Sequence, residues 1–271
     1  YAKVRASFAQ VGQAGDYFEP YYEIPSYGGG FYNLPPFSWP YNGITAFRPS
    51  TTLYDPGLKT QNTNSFELGI DTFFWNGIIG LNYTFTSQEV KNQIFAIPYA
   101  ASTGVAQVVQ NGGHISTKSH EITLMISPRL GKNFSWDTSI NFTKIDNKVV
   151  SLAAGVESIY LGGFVTPQVR ASIGDNFPTI YGEEYLRDSN GNIMLDDNNL
   201  PMAGAPRPLG SSSPDFILGM NTAFSWKNLT LSAVLEWKQG GVMYGGTSNI
   251  LDFYGVTQAS ADARDNGITY Y

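Results

Sequence analysis

Ser65-Phe66-Glu67-Leu68-Gly69-Ile70-Asp71-Thr72-Phe73-Phe74-Trp75-Asn76-Gly77-Ile78-Ile79-Gly80-Leu81-Asn82-Tyr83-Thr84-Phe85 is the stretch that decides the fold. Side chains alternate between the two faces of an extended chain. Phe66, Leu68, Ile70 and Phe74 therefore share one face, and Glu67, Gly69 and Asp71 share the other. Trp75-Asn76-Gly77 then supplies an Asn-Gly turn, favoured where φ must be positive. Ile79, Leu81, Tyr83 and Phe85 resume the alternation in the return direction. The stretch predicts a β-hairpin.

The same unit recurs on either side. Glu121 to Pro128, the turn Gly131-Lys132-Asn133 and Phe134 to Ile145 form one repeat. Asp215 to Phe224, the turn Trp226-Lys227-Asn228 and Leu229 to Lys238 form another. Ala2 to Val11 reads as an earlier strand without a hairpin partner. That makes seven strands, and a further one is expected near the C-terminus.

The connections alternate between very short turns and long loops at residues 13–63, about 88–118 and about 147–213. Structureless loops of such length argue against a compact soluble domain, whereas transmembrane barrels have short turns on one side and long loops on the other. Aromatic residues cluster at each short turn, as in an interfacial girdle: Phe73, Phe74 and Trp75; Phe134 and Trp136; Phe224 and Trp226. Ten residues at roughly 3.3 Å each, tilted by about 40°, rise about 25 Å, the height of the apolar band of such barrels. A soluble β-sandwich explains the alternation but not turns, loops and aromatics in phase. The expected fold is all-β: a partial antiparallel transmembrane β-barrel of about seven to eight strands from a larger barrel, with short periplasmic turns and long extracellular loops.

Composition agrees. The 271 residues include Gly 29, Tyr 17, Phe 17 and Trp 5, with 14% charged residues. No run of about eighteen apolar residues forms a transmembrane helix. A net charge of -6 without clustered Lys and Arg argues against a nucleic-acid partner. With no cysteine there is no disulfide, thiolate metal site or Cys nucleophile. Only His114 and His120 are left as imidazole bases or ligands, so an enzyme is not expected. The chain opens at Tyr1-Ala2-Lys3-Val4 without Met or signal peptide and is expected to be excised from a longer protein.

Tyr54-Asp55-Pro56-Gly57-Leu58-Lys59-Thr60-Gln61, running through Ser65-Phe66-Glu67-Leu68-Gly69, resembles the Asn-Pro-x-Leu-Lys-Pro-Glu-x-x-x-Ser-x-Glu-Leu-Gly entry into a barrel strand of SusC-like (SusC/RagA) TonB-dependent transporters. Thr60-Gln61 stands where that family has Pro-Glu. Lys3 to Gly12, Asn111 to Ile122, Phe134 to Asp137, Asn147 to Leu152, Gly182 to Asp188, Ser213 to Phe216 and Gly240 to Thr247 match further segments in the family's order. The resemblance covers nearly the whole chain. It implies that residues 1–271 are a fragment from the C-terminal part of the barrel, with the plug domain and remaining strands absent. It also implies an outer-membrane, TonB-dependent importer of a glycan or oligopeptide, located in the cell outer membrane of a Gram-negative bacterium. The implied partners are a SusD-like surface lipoprotein lid, the TonB complex acting through the missing plug, and outer-membrane lipid. The alternative is a surface or soluble β-domain that binds glycans through an aromatic loop.

That loop, Gln13 to Thr63, contains Tyr17, Tyr21, Tyr22, Tyr27, Tyr32, Trp39 and Tyr41, the expected ligand or lid contacts. Aromatic faces stack on sugar rings and anchor interfaces, and they also pack a loop against itself. Asp188-Ser189-Asn190-Gly191-Asn192 and Asp196-Asp197-Asn198-Asn199 have the oxygen-rich look of a calcium loop, but the Gly and Glu spacing of an EF-hand is missing. An Asn-Gly turn explains them with less. His114 and His120 read as polar residues at a rim. Glu183-Glu184 and Asp196-Asp197 are adjacent pairs pointing to opposite faces, which does not flank a scissile bond. No cofactor, metal or catalytic residue is expected.

Overall fold

The structure is a computed structural model that describes residues 1–14, 22–24, 26–29, 34–128, 131 and 133–267, with only the backbone at 22–23, 26–29, 34–38, 101 and 266. The strands are β1 (Ala2–Gln13), β2 (Tyr22–Glu23), β3 (Ser26–Gly29), β4 (Leu34–Ser38), β5 (Arg48–Pro49), β6 (Thr52–Tyr54), β7 (Gln61–Phe74) and β8 (Ile79–Pro98). They continue as β9 (Gln107–Ile126), β10 (Phe134–Leu152), β11 (Ser158–Gly163), β12 (Gln168–Ser172), β13 (Thr179–Gly182), β14 (Arg207–Ser211), β15 (Phe216–Trp226) and β16 (Leu229–Gln239). Two helices follow, α1 (Gly246–Phe253) and α2 (Gln258–Asn266).

The long strands form one open antiparallel wall in the order β1-β7-β8-β9-β10-β15-β16, and β6 adds to β9 in parallel. The hairpins β7-β8 and β15-β16 fold as their alternation predicts, while β9 ends at Ile126 and pairs with β10 across a connection that includes residues outside the described ones. Phe74 pairs with Ile79 around a turn in which Trp75, Asn76 and Gly77 all have positive φ. Trp226 pairs with Leu229 around a turn that places Lys227 at φ 52°.

Four expectations change. The first strand does have a partner: β1 pairs with β7 from Ala2↔Thr72 to Gln13↔Gln61, across the long loop rather than through a tight turn. Residues 88–118 are largely strand, because β8 and β9 continue to Pro98 and from Gln107. Period-two reading loses them at the register shift between Val90 and Gln93, where Asn92 adopts φ 55° and the face assignment flips. Residues 147–213 are also ordered, as the end of β10 and a four-stranded sheet β11-β12-β13-β14. The strand expected near the C-terminus is instead α1 and α2. Thr257 caps α2 by accepting a hydrogen bond from the Ser260 N–H, and Gly267 closes it at φ 72°.

The buried core lies away from the hairpin turns. Phe95, Ile97, Ile115, Val149, Ile159 and Ala171 form it, so the extended ends of β8, β9 and β10 pack against the small sheet. Gly113 permits the contact, since a Cβ there would sit 2.8 Å from the Phe95 ring. Val149 and Ile115 lie on the wall face that carries Thr143, Ile145 and Ser119, so the small sheet covers that face. The hairpin half of the wall contributes none of these buried apolar residues; both of its faces stand open.

Candidate functional site

Register turns the alternation of single strands into rows that cross the wall. One row runs Val4, Ile70, Tyr83, Ile122, Phe142, Leu218, Trp237, and the next Thr72, Leu81, Leu124, Ile140, Met220, Leu235. Toward the turns this face ends in aromatics: Trp136 stacks on Phe224 at 5.5 Å and 7°, and Phe134 lies 6.5 Å from Phe224. The Trp136 indole N–H donates to Thr222 Oγ1 at 2.9 Å, so its polar edge is satisfied while its ring stays on the apolar face.

The opposite face carries polar rows. One runs Lys3, Asp71, Asn82, Thr123, Asn141, Gly219, Glu236, and its neighbour Arg5, Gly69, Thr84, Glu121, Thr143, Ile217, Lys238. Arg5 organises the β1 side of this face. Its Nε donates to Asp71 Oδ2 at 2.9 Å, Nη1 to Glu67 Oε1 at 3.4 Å and Nη2 to Thr84 Oγ1 at 3.2 Å. Arg5 reaches β8 by lying across Gly69, where a Cβ would come within 2.7 Å of Nη2. Asn82 donates to Asp71 on the same face, and Thr123 Oγ1 donates to Asn141 Oδ1 at 3.0 Å. The sequence held a signal for this network: Lys3 and Arg5 share a parity on β1, as Glu67 and Asp71 do on β7. What it lacked was the pairing of β1 with β7.

The aromatic loop is only partly described. Tyr17, Tyr21 and Tyr32 lie outside the described residues. Tyr22 pairs with Pro49 and Tyr27 with Phe37 through the backbone. Trp39 and Tyr41 stand edge to face at 6.3 Å, with Tyr41 exposed in a tight turn against Ile44. The structure brings these last two together.

Residues 184–204 form a motif that sequence reading passed over. Leu186 N–H donates to the Met202 carbonyl, Met202 N–H to Met194, and Met194 N–H to Leu186, closing a three-membered ring of backbone bonds at 2.8–2.9 Å. The ring positions recur every eight residues, and the acidic turn residues Asp188 and Asp196 recur with them. Asp188 Oδ1 accepts from Asn190 N–H at 2.8 Å and Asn192 N–H at 2.9 Å. Asp196 Oδ1 accepts from Asn198 N–H and Leu200 N–H at 2.8 and 2.9 Å. These bonds hold both carboxyls below the ordinary carboxylate range, led by the Asn192 side-chain amide at Asp188 and the Leu200 N–H at Asp196. One carboxylate oxygen of each aspartate thus closes its own turn. A groove of about 590 Å³ opens beside this motif between Glu183, Glu184, Tyr185, Arg187, Pro201 and Ala203, and Glu184 is ion-paired with Arg207.

His114 and His120 fall on the apolar-face side of β9, six residues apart. His114 Nε2 lies 2.5 Å from Glu89 Oε2, and Ser116 donates to Glu89 Oε1 at 2.7 Å. His120 Nδ1 lies 2.9 Å from the Tyr83 hydroxyl. Among the described residues no group of three or more His, Cys, Asp or Glu is placed to hold a metal ion.

No family model matches the chain. It is 24% identical over 216 residues to TonB-dependent receptor P3 of Formosa agariphila, covering 70% of this chain and 22% of that protein. It is 25% identical over 210 residues to TonB-dependent receptor SusC of Bacteroides thetaiotaomicron, covering 70% of this chain and 20% of SusC. The chain thus spans about a fifth of the length of the curated relatives it matches. Among solved structures it superposes on the RagAB peptide transporter with a TM-score of 0.65 at 16% identity, covering 87% of this chain and 26% of that one. In sequence the chain is similar to SusC-like TonB-dependent receptors. Its fold is that of an unclosed section of a transporter barrel.

Proposed function

We propose that this chain is a wall segment of an outer-membrane, TonB-dependent importer of a glycan or oligopeptide. The apolar rows face lipid and the polar rows, with Arg5, Asp71, Asn82, Thr84, Thr123 and Asn141, face the lumen. Residues 1–271 are one section of the barrel; the remaining strands and a plug that engages TonB belong to the rest of the protein. The loop-side structures, including the aromatics from Tyr17 to Tyr41, contact substrate or a SusD-like lipoprotein lid. The wall binds and guides; it catalyses no reaction.

The observation that carries the reading is the separation of one continuous sheet into an apolar and a polar face across seven strands. A soluble sheet open on both sides would leave rows such as Leu229, Leu231 and Leu235 in water, each 58% exposed or more here. Lipid on one side and a hydrated lumen on the other satisfies both. The similarity to TonB-dependent receptors points the same way.

The test is fractionation of the full-length protein from cells, with uptake of labelled glycans and oligopeptides compared in cells with and without its gene. The reading expects outer-membrane recovery, a lipoprotein copurifying in detergent, and loss of uptake of one of the two substrate classes. Recovery as a soluble protein without detergent would overturn it and leave the glycan-binding alternative.

A further inference from the structure

We propose that the loop-side end of the apolar face carries a docking site for the phosphorylated headgroup of an outer-leaflet lipid, built by Lys118, Lys144 and Lys148. The inference rests on the barrel reading, which makes this face the lipid-exposed one.

On the paired strands, charge on the apolar face is gathered toward the loop-side end. From the short turns up to the row of Tyr83, Ile122, Phe142 and Leu218, alternation places no charged side chain on this face of the paired strands. Immediately beyond, the same parity places Lys144 opposite His120, Lys118 opposite Asp146 and Lys148 opposite Ser116. Lys91 follows on β8, and the only acids here are Glu89 and Asp146. Glu89 is taken by His114 and Ser116, and Asp146 lies 3.6 Å from Lys144. Among the described residues Lys118 and Lys148 have no acidic group within ion-pair distance, and all three lysines are exposed. Three ammonium groups thus surround one carboxylate, on neighbouring strands at rows roughly 7 Å apart. A phosphate fits between two lysines at that spacing, and lysine is a phosphate binder through point charge.

The lysines stand on an aromatic step. Phe142 lies 5.6 Å from Phe216, Phe216 lies 5.4 Å from Trp237, and His120 lies 5.2 Å from Phe85. Strand β15 pairs with β10 only as far as Thr143↔Ile217, and beyond it Lys144, Asp146 and Lys148 lie on a stretch of β10 whose edge is taken up by the segment around Asn176, which bridges Lys148. A free anion would use the lysines and leave the step in contact with nothing. An amphiphile with an anionic head and acyl chains matches both parts at once, and long basic side chains at the edge of an apolar band reach naturally toward headgroups. At the opposite end the described strand residues on this face are aromatic, with Lys227 Nζ 5.2 Å above the Trp226 ring.

The test uses the full-length protein, wild type and K118Q/K144Q/K148Q, purified from outer membranes in detergent. Native mass spectrometry would follow binding of lipid A and of its dephosphorylated form, with heat-modifiable gel mobility as the folding control. The proposal expects the folded wild type to prefer the phosphorylated form and the folded variant to bind it about tenfold more weakly, with the dephosphorylated form affected little. Equal binding of phosphorylated lipid by both folded proteins would overturn it, as would displacement by inorganic phosphate alone, which would indicate a free-anion site. Wild type that never reaches the outer membrane would instead remove the barrel reading beneath it.

Discussion

Gly69 shows how a missing side chain shapes the polar face. Arg5 lies flat across it to join Asp71 on β7 with Thr84 on β8, so three strands share one guanidinium. Gly69→Val must push the guanidinium aside and should cost about 1–3 kcal/mol. In an Arg5→Ala background the same change should cost much less, because nothing is left to displace. Urea titrations of the refolded full-length protein in bilayers would show this coupling, and equal costs in the two backgrounds would refute the role given to Arg5. Asp188 and Asp196 make a second residue-scale case. Their carboxyls lie below the ordinary value of 3.8 when folded, so the turn stability they confer is complete above that value. It is lost as pH falls through their lower folded values. Amide exchange in residues 184–204 should therefore be flat at neutral pH and speed up only in strong acid, beyond the intrinsic pH dependence of exchange; Asp188→Ala should speed it at every pH.

At the scale of the strand, the proposed barrel puts neighbouring residues in different solvents. Leu124 is flanked by Leu81 and Ile140 on the apolar face, while Thr123 is flanked by Asn82 and Asn141 on the polar one. Leu124→Arg near mid-membrane should destabilise the barrel by about 2–4 kcal/mol, whereas Thr123→Arg should cost under about 1 kcal/mol. Comparable losses from both, measured by unfolding in bilayers, would contradict the assignment of faces. This pattern was legible in the sequence because period two survives wherever one face meets a single solvent. It failed where geometry changed: at the register shift after Val90, the parity that identifies Phe66 to Phe74 no longer separates inside from outside. Phe95 and Ile97 pack under the small sheet, and local alternation cannot announce a partner that lies some sixty residues away. The same non-locality hid the pairing of β1 with β7 and the Arg5 network with it. The aromatic candidates remain the least legible part, since Tyr17, Tyr21 and Tyr32 fall outside the described residues, and among the candidates with described side chains Trp39 and Tyr41 are in ring contact.

The whole molecule inverts the arrangement of a soluble protein. Its packed core is small and sits at the loop side, while the apolar sheet face is left uncovered by the described residues. Among the described residues the edge strands β1 and β16 are paired on one side. In the proposed barrel such a wall is held by its ladder and its two solvents more than by a core. The most direct measurement exploits the absence of cysteine from this chain. Single cysteines placed in turn from Glu121 to Ile126 of the full-length protein, in a background without other cysteines, would be labelled in native outer membranes with a water-soluble maleimide and with a lipid-phase one. The account predicts period two: positions 121, 123 and 125 take the aqueous reagent, and 122, 124 and 126 the lipid-phase reagent. Labelling of all six by the aqueous reagent alone would contradict it.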